Sequence, residues 1–473
     1  MTNPEKGVSR RELLQKAAGG FASIALAGIL AEQQAQHARG AAVVDDPLAP
    51  KRPHIPPRAK RVIFLYMTGG VSHVDTFDPK PRLFADHGKT ITVDNWQGKI
   101  GQFKRYLKTP QWTFRPGGAC GTAISDLFPH VRDVADELCV IRSMESNHTN
   151  HYEGTLGIHT GSWTFARPSV GAWVSYGLGT ENRNLPSFVV LAPHAPYAGA
   201  QTWGSDFLPG CHQGLQVVPG PNPIPNVGRR VASERLQRLE LDLIADANRR
   251  HRAARPEDAA LEAQIRSMET AFGMQQAAPE AFDLARETRA THALYGIERG
   301  ATTGFGWQCL VARRLAERGV RFVEVIDTGS SNNWDSHGDM RDHDRLAKNV
   351  DRPIAALIRD LKQRGLLEET LVVWTTEFGR TPYHESANAK GREHHHQVFS
   401  SWMAGGGVKG GVVHGASDDY GIAIASDRVH VHDFHATILH LLGLEHERLT
   451  FRHAGRDFRL TDVQGNVVNE ILA

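Results

Sequence analysis

Leu371-Val372-Val373-Trp374-Thr375-Thr376-Glu377-Phe378-Gly379-Arg380-Thr381-Pro382 decides how this chain folds. Its first five residues are apolar or β-branched without interruption, the pattern of a strand buried on both faces in a parallel sheet. Thr376-Glu377-Phe378-Gly379 follows where that strand ends. In open α/β sheets ligands and chemistry sit in the crevice beyond the carboxyl ends of the strands, so Glu377 arrives where a functional carboxylate belongs.

Working outward, Arg61 to Met67 is a similar apolar run ending at Thr68-Gly69-Gly70, and Leu138–Ile141, Phe188–Leu191 and Val320–Ile326 read the same way. Between the last of these and Leu371, the apolar residues Leu346, Val350, Ile354, Leu357, Ile358 and Leu361 recur at helical spacing. Phe305 to Arg318 is likewise amphipathic and stops at Gly319, a helix C-terminal signal. Strands alternating with helices predict a mainly parallel sheet covered on both faces. Pro209 to Asn226 reads as an irregular loop, and residues 229–275 as a charged helical pair inserted into a single α/β domain spanning 58–473. Asp433 to Leu444 reads as a short helix with Asp433 at its N-cap.

The same region of the chain carries ligands. Asp335 and His337 lie in WDSHGD, His343 follows, Glu377 ends the strand, and His394, His395 and His396 stand together in GREHHH. Carboxylates and imidazoles supplied by three separate segments suit a divalent site holding Zn, Mn, Ca or Mg, one or two ions. Taken singly, each group also fits a loop polar residue, a cap or a solvated histidine. His148, His151 and His159 fall within twelve residues of one another, which brings that segment toward the site as well.

Composition narrows the partners. The 54 basic and 52 acidic residues leave a net charge of +2, so no global field recruits nucleic acid or anionic lipid. Four cysteines, Cys120, Cys139, Cys211 and Cys309, show no CxxC pattern; one or two disulfides are compatible with an oxidising compartment, while Cys139 and Cys309 sit in apolar patterns. Ser9-Arg10-Arg11-Glu12-Leu13-Leu14 is a twin-arginine motif followed by an uncharged apolar run, Ala17 to Ala31. At 15 residues that run is shorter than the ~20 needed to span a bilayer. Residues 1–45 therefore read as a twin-arginine export signal and linker, with the export machinery as a partner, a periplasmic or cell-envelope destination, and no stable transmembrane anchor after processing.

RRELL, FLYMTGGVSHVDTFDPKP, NNWDSHG, VVWTTEFGRTP, GREHHHQVFSSWMAGGGVKGG and DFHATILHLLGLEHERLTFRHAGRDFRLTDV, in this order, resemble the family of domain of unknown function 1501. That family is placed in the sulfatase and alkaline-phosphatase-like superfamily. The resemblance implies a three-layer αβα sandwich and an exported metal-dependent hydrolase of phosphate or sulfate esters, acting on a small molecule or a glycan. By the same resemblance Asp335 and His337 stand near phosphatase-like ligands, and Glu377 keeps a carboxylate where Phe378 replaces a histidine. One of His394, His395 and His396 matches the late histidine ligand, and Asp75 resembles the early aspartate after the first strand.

Where sulfatases carry their modified cysteine, this chain has His151. Three routes stay open: Ser146 or Thr149 as a nucleophile, direct attack by water with His151 or His148 as general acid, or loss of catalysis with binding retained. Arg380 is a candidate for stabilising the charge of the transferring group. The alternative to the hydrolase is a non-catalytic metal- or ligand-binding cell-envelope protein on the same fold.

Overall fold

The computed structural model describes residues 46–473 apart from 97–98, 229–232 and 256–257; the twin-arginine motif and the apolar run after it lie outside the described residues. Nine strands form the central sheet: β1 (Arg61–Tyr66), β2 (Leu138–Glu145), β3 (Phe188–Leu191), β4 (Leu215–Val217), β5 (Phe322–Ile326), β6 (Thr370–Thr375), β7 (Phe399–Ala404), β8 (Val412–His414) and β9 (Val429–His430). Their order is β8-β2-β7-β6-β1-β5-β3-β4, with β9 paired to the far end of β2. β1 lies at the centre, with Val62 opposite Leu371 on one side and Phe322 on the other.

Eight strands share one direction and β7 opposes both its neighbours. The reason is topological. After β6 the chain makes an excursion above the carboxyl edge and re-enters the sheet from that same edge, so the next strand must run back down.

Strand alternation sorts the core into two layers. Ile63, Leu65, Val323, Val325, Val372 and Trp374 face one side, where they meet Phe305–Glu317 and Asp342–Gln363. Val62, Phe64, Tyr66, Phe322, Ile326 and Val373 face the other, against Val170–Leu178 and Val431–Leu441. The result is the αβα sandwich with a mainly parallel sheet that the sequence predicts. The charged helical pair is Glu234–Ala253 and Ala259–Phe282. A smaller three-stranded sheet, Thr90–Trp96, Lys99–Leu107 and Tyr383–His384, stands beside the carboxyl edge and has no counterpart in the sequence reading.

One cap differs from expectation. The helix Val431–Leu441 is capped three residues early, with His430 as N-cap accepting from His432 N–H, and Asp433 closes a capping box from the N3 position instead. Among the described residues no disulfide forms: Cys139 and Cys309 are buried thiols. No helix of the described residues is long and apolar enough to cross a membrane.

Candidate metal centre

Four segments meet above the carboxyl edge of the sheet. β1 ends in Gly69-Gly70, whose φ angles of +113° and +78° lie in the region L side chains avoid. A Cβ on Gly69 would also fall 2.7 Å from Asn333 and Trp334 atoms, so the turn packs tightly against the Asp335 loop. That loop follows β5: Trp334 is buried, donates its indole N–H to Asp327 at 2.6 Å, and takes its own N–H to the Thr68 carbonyl at 3.0 Å. Asp335 is thereby presented above β1. His151 begins the helix α1 (His151–Thr160), capped by Asn150, and His394 lies on a two-residue strand paired with Gly379-Arg380.

The side chains converge on one point. His337 Nε2, His394 Nε2 and His151 Nε2 lie 2.9, 3.1 and 3.2 Å from Asp335 Oδ1, and the Nε2 atoms of His337 and His394 are 2.9 Å apart. His151 Nε2 is buried and, despite its proximity to Asp335, makes no aligned hydrogen bond. The other ring nitrogens are all occupied. His151 Nδ1–H donates to Glu377 Oε1 at 2.7 Å and His394 Nδ1–H to the Thr149 carbonyl at 2.6 Å, and His337 Nδ1 forms an ion pair with Glu393 Oε2 at 3.1 Å. Each acceptor is a carboxylate or carbonyl, which has no proton to give. Nδ1 is therefore the donor in these contacts; because Asp335 Oδ1 is equally a proton acceptor, neutral Nδ1–H rings turn their Nε2 lone pairs toward a carboxylate, an arrangement that a cation between them would stabilise.

Charge follows from this geometry. Burial opposes the charge of Asp335, but contacts from the three imidazoles and Arg380 outweigh it and hold the carboxyl far below the usual range. Hydrogen bonds to Asp335 and Glu393 raise His337 to about 9. Without an ion, the proton on His337 supplies the positive charge that the cluster demands. His394 is lowered by burial, while His151 is raised because its carboxylate partners overcome burial.

Whether a divalent ion suits this donor set can be tested on distances and charge. A tetrahedral site with bonds of about 2.0–2.1 Å has ligand–ligand edges of about 3.3 Å; the separations of 2.9–3.2 Å from Asp335 Oδ1 to the three Nε2 atoms, and between those of His337 and His394, come close to it, while the ligand atoms of His151, Asp335 and His394 all lie within 4.8 Å of one another. With neutral imidazoles, Asp335, Glu377 and Glu393 face the single guanidinium of Arg380, a deficit that one divalent cation balances. Each imidazole is also anchored through its far nitrogen, as metal-binding histidines are. The residues fit the ion. His151, Asp335 and His394 are the group that meets ligand spacing among the described residues, with His337 adjoining them.

The remaining candidates take other places. Glu377 is fully buried behind His151; its carboxylate accepts from Gly69 N–H at 2.8 Å, Tyr66 O–H at 3.0 Å and the Thr376 hydroxyl at 3.0 Å, and so orients the imidazole from behind. Arg380 is fully buried and spends its donors on the Gly69 and Gly70 carbonyls and, at 2.6 Å, on Asp335. It neutralises the aspartate from within the protein. Asp75 lies in a separate buried network with Arg392 at 2.7 Å and Ser72 at 2.5 Å. His395, on the opposite side of its strand from His394, donates to the Ile422 carbonyl at 2.8 Å. His396 is partly buried, and its carbonyl accepts from Ser146 N–H. The Ser146 hydroxyl accepts from Trp163 Nε1–H at 3.3 Å, and Thr149 contributes its carbonyl to His394. His343 is buried between Ser336 and Ser72.

Three contributors went unread in the sequence. Glu393 holds His337, Tyr197 stacks on the His151 ring at 4.2 Å and 11°, and the Thr149 carbonyl holds His394. An acidic residue beside a histidine run was the available signal for Glu393. A backbone carbonyl leaves no signal, and Tyr197 stands in an ordinary loop.

Solved structures with some likeness include Ps i-CgsB in complex with k-i-k-neocarrahexaose, at 10% identity and a TM-score of 0.37 over 81% of this chain and 72% of that one. PsFucS1 sulfatase from Pseudoalteromonas sp. shows 12% identity and a TM-score of 0.34 over 90% and 72%. The soluble domain of lipooligosaccharide phosphoethanolamine transferase A from Neisseria meningitidis shows 10% and 0.35 over 84% and 92%. No curated protein matches the chain. A family model described as "Protein of unknown function (DUF1501)" matches residues 59–472, and the chain belongs to that family.

Proposed function

We propose that this protein is a metal-dependent hydrolase of phosphate or sulfate esters, exported by the twin-arginine route. One observation carries the reading: three imidazoles, each anchored through Nδ1, aim their Nε2 atoms at one oxygen of Asp335. His151, Asp335, His337 and His394 would hold the ion, which when bound supplies Lewis-acid polarisation of an ester oxygen. The protein's own part is orientation. Glu377, Glu393 and the Thr149 carbonyl fix ring tautomers, Arg380 offsets the Asp335 charge, and Phe378 packs under His151 and His394 at 4.9 and 4.7 Å, keeping water from behind the rings.

With the Ser146 hydroxyl engaged by Trp163, the routes left for attack on the ester are the Thr149 hydroxyl and water. That same disposition supports a second reading, a metal-binding protein of the cell envelope without turnover.

Elemental analysis of the folded protein, purified without chelator, followed by a panel of p-nitrophenyl phosphate, bis-p-nitrophenyl phosphate and p-nitrophenyl sulfate, tests both. The hydrolase predicts bound divalent metal and turnover of at least one ester that Asp335→Ala abolishes. Metal without turnover selects the binding protein, and a folded protein that takes up no divalent ion removes both.

A further inference from the structure

Of the three imidazoles at the centre, two are packed by hydrophobic rings, Tyr197 and Phe378 against His151 and Phe378 against His394, while among the described residues His337 meets the His394 ring alone at 4.7 Å. His337 is the most exposed, its side chain 39% accessible against 10% and 17% for the others. What restrains it is Glu393, whose Oε2 meets His337 Nδ1 at 3.1 Å.

Glu393 is itself held from three sides. Its backbone N–H donates to the Thr381 hydroxyl at 3.1 Å and its carbonyl accepts from Thr381 N–H at 2.9 Å. Its other carboxylate oxygen lies 3.3 Å from His384 Nε2. The state of His384 follows from its own neighbour. Ser386 N–H donates to His384 Nδ1 at 3.0 Å, so in the neutral ring the proton is on Nε2 and points to Glu393. Burial lowers His384, which keeps that ring neutral.

His384 belongs to the Tyr383–His384 strand of the small sheet, opposite Tyr106. An unbroken series thus runs from the small sheet to the centre: Ser386 N–H, His384, Glu393, His337. Each member fixes the proton position of the next.

We propose that Glu393 is a positioning residue of the metal centre: through His384 and the small sheet it locks His337 as the Nδ1–H tautomer with Nε2 aimed at Asp335. The inference rests on the metal-centre reading above. Partners of this kind change metal affinity by about 10–100-fold when removed.

The test uses the full chain and zinc alone. Zinc affinity is measured by competition with a chromophoric chelator for the wild type, Glu393→Ala, Glu393→Gln and Asp335→Ala. The His337 tautomer is read from ¹H–¹⁵N correlations of ¹⁵N-histidine-labelled protein, with His337→Gln as the assignment control. Glu393→Ala is expected to weaken zinc by about 10–100-fold and to lose the single Nδ1–H tautomer of His337. Glu393→Gln, isosteric and able to accept from one imidazole, should recover part of both. Zinc affinity within twofold of wild type in Glu393→Ala, with the tautomer unchanged while Asp335→Ala loses zinc, overturns the proposal. If the wild type binds no zinc, the metal-centre reading fails; the His337 tautomer, read well above pH of about 9 where the metal-free ring is neutral, then decides Glu393 alone, and a His337 signal indifferent to Glu393→Ala overturns it.

Discussion

His394 and His395 are neighbours on one short strand and have opposite fates. His394 gives Nδ1–H to the Thr149 carbonyl and turns Nε2 toward Asp335. His395 points to the other side, where it stacks on His73 at 6.0 Å and gives Nε2–H to the Ile422 carbonyl, as His73 gives its own to Gly421. Burial drives this second pair down to about 3 and about 4, so both rings stay neutral. In one region the backbone takes the near nitrogen and leaves the far one unspent beside a carboxylate. In the other it consumes the far nitrogen itself. The contrast teaches that which nitrogen the backbone claims, more than the presence of histidine, separates a ligand from a core residue.

That contrast is best broken by exchanging the two fates. Asp335→Ala should bring metal content, read by elemental analysis, to background, since all three imidazoles lose their common partner. His394→Ala should also deplete the metal with little change in stability. His395→Ala should leave the metal in place but cost about 2–4 kcal/mol in denaturant unfolding, through a buried cavity and an unpaired carbonyl. If His395→Ala depletes metal as strongly as His394→Ala, the distinction between the two sides of the strand is wrong.

Next in size is Glu377→Gln. Both oxygens of Glu377 accept from Gly69 N–H, at 2.8 and 3.1 Å, and one accepts from His151, so an amide N–H there opposes an existing donor. Zinc affinity should fall by about 10–100-fold in chelator competition.

A smaller effect comes from pH. His435 is a core imidazole of the second kind, giving Nε2–H to the Ile158 carbonyl, and His212 is a core imidazole held through Nδ1 by the Ser175 hydroxyl; burial pushes each down to about 3. The unfolded chain, near 6.5, takes up a proton where the folded one does not. The stability each contributes is complete above pH of about 6.5 and is lost as pH falls toward 3, by about 1.4 kcal/mol per pH unit. His212→Asn retains an acceptor for the Ser175 hydroxyl, which His212 Nδ1 now holds at 2.8 Å. Its urea midpoints between pH 7 and 5 should therefore depend on pH less steeply, by one proton. The smallest change expected is Tyr197→Phe, which keeps the stack on His151 and loses the Asn333 bond. Zinc affinity should stay within about twofold, with stability down by about 0.5–1.5 kcal/mol.

The sandwich was legible because its central strands are continuous apolar runs and its covering helices keep a 3.6-residue period. β4, β8 and β9 are two or three residues long and carry no such run, so pairing alone defines them. At the site, residue types were legible and their distances from the centre were not. Glu377 sits behind His151 and Asp75 sits with Arg392, placements that spacing along a chain does not encode. Neither does a sequence say which member of a histidine triplet a two-residue strand will turn inward.

The excursion between β6 and β7 leaves and rejoins the sheet at adjacent strands, with Trp374 opposite Trp402 where they pair. It behaves as a cassette clipped at both ends into fixed neighbouring sockets. Its length can change between its anchored residues without shifting a register in the sheet, so long as Glu377, Arg380, Glu393 and His394 keep their places at the centre.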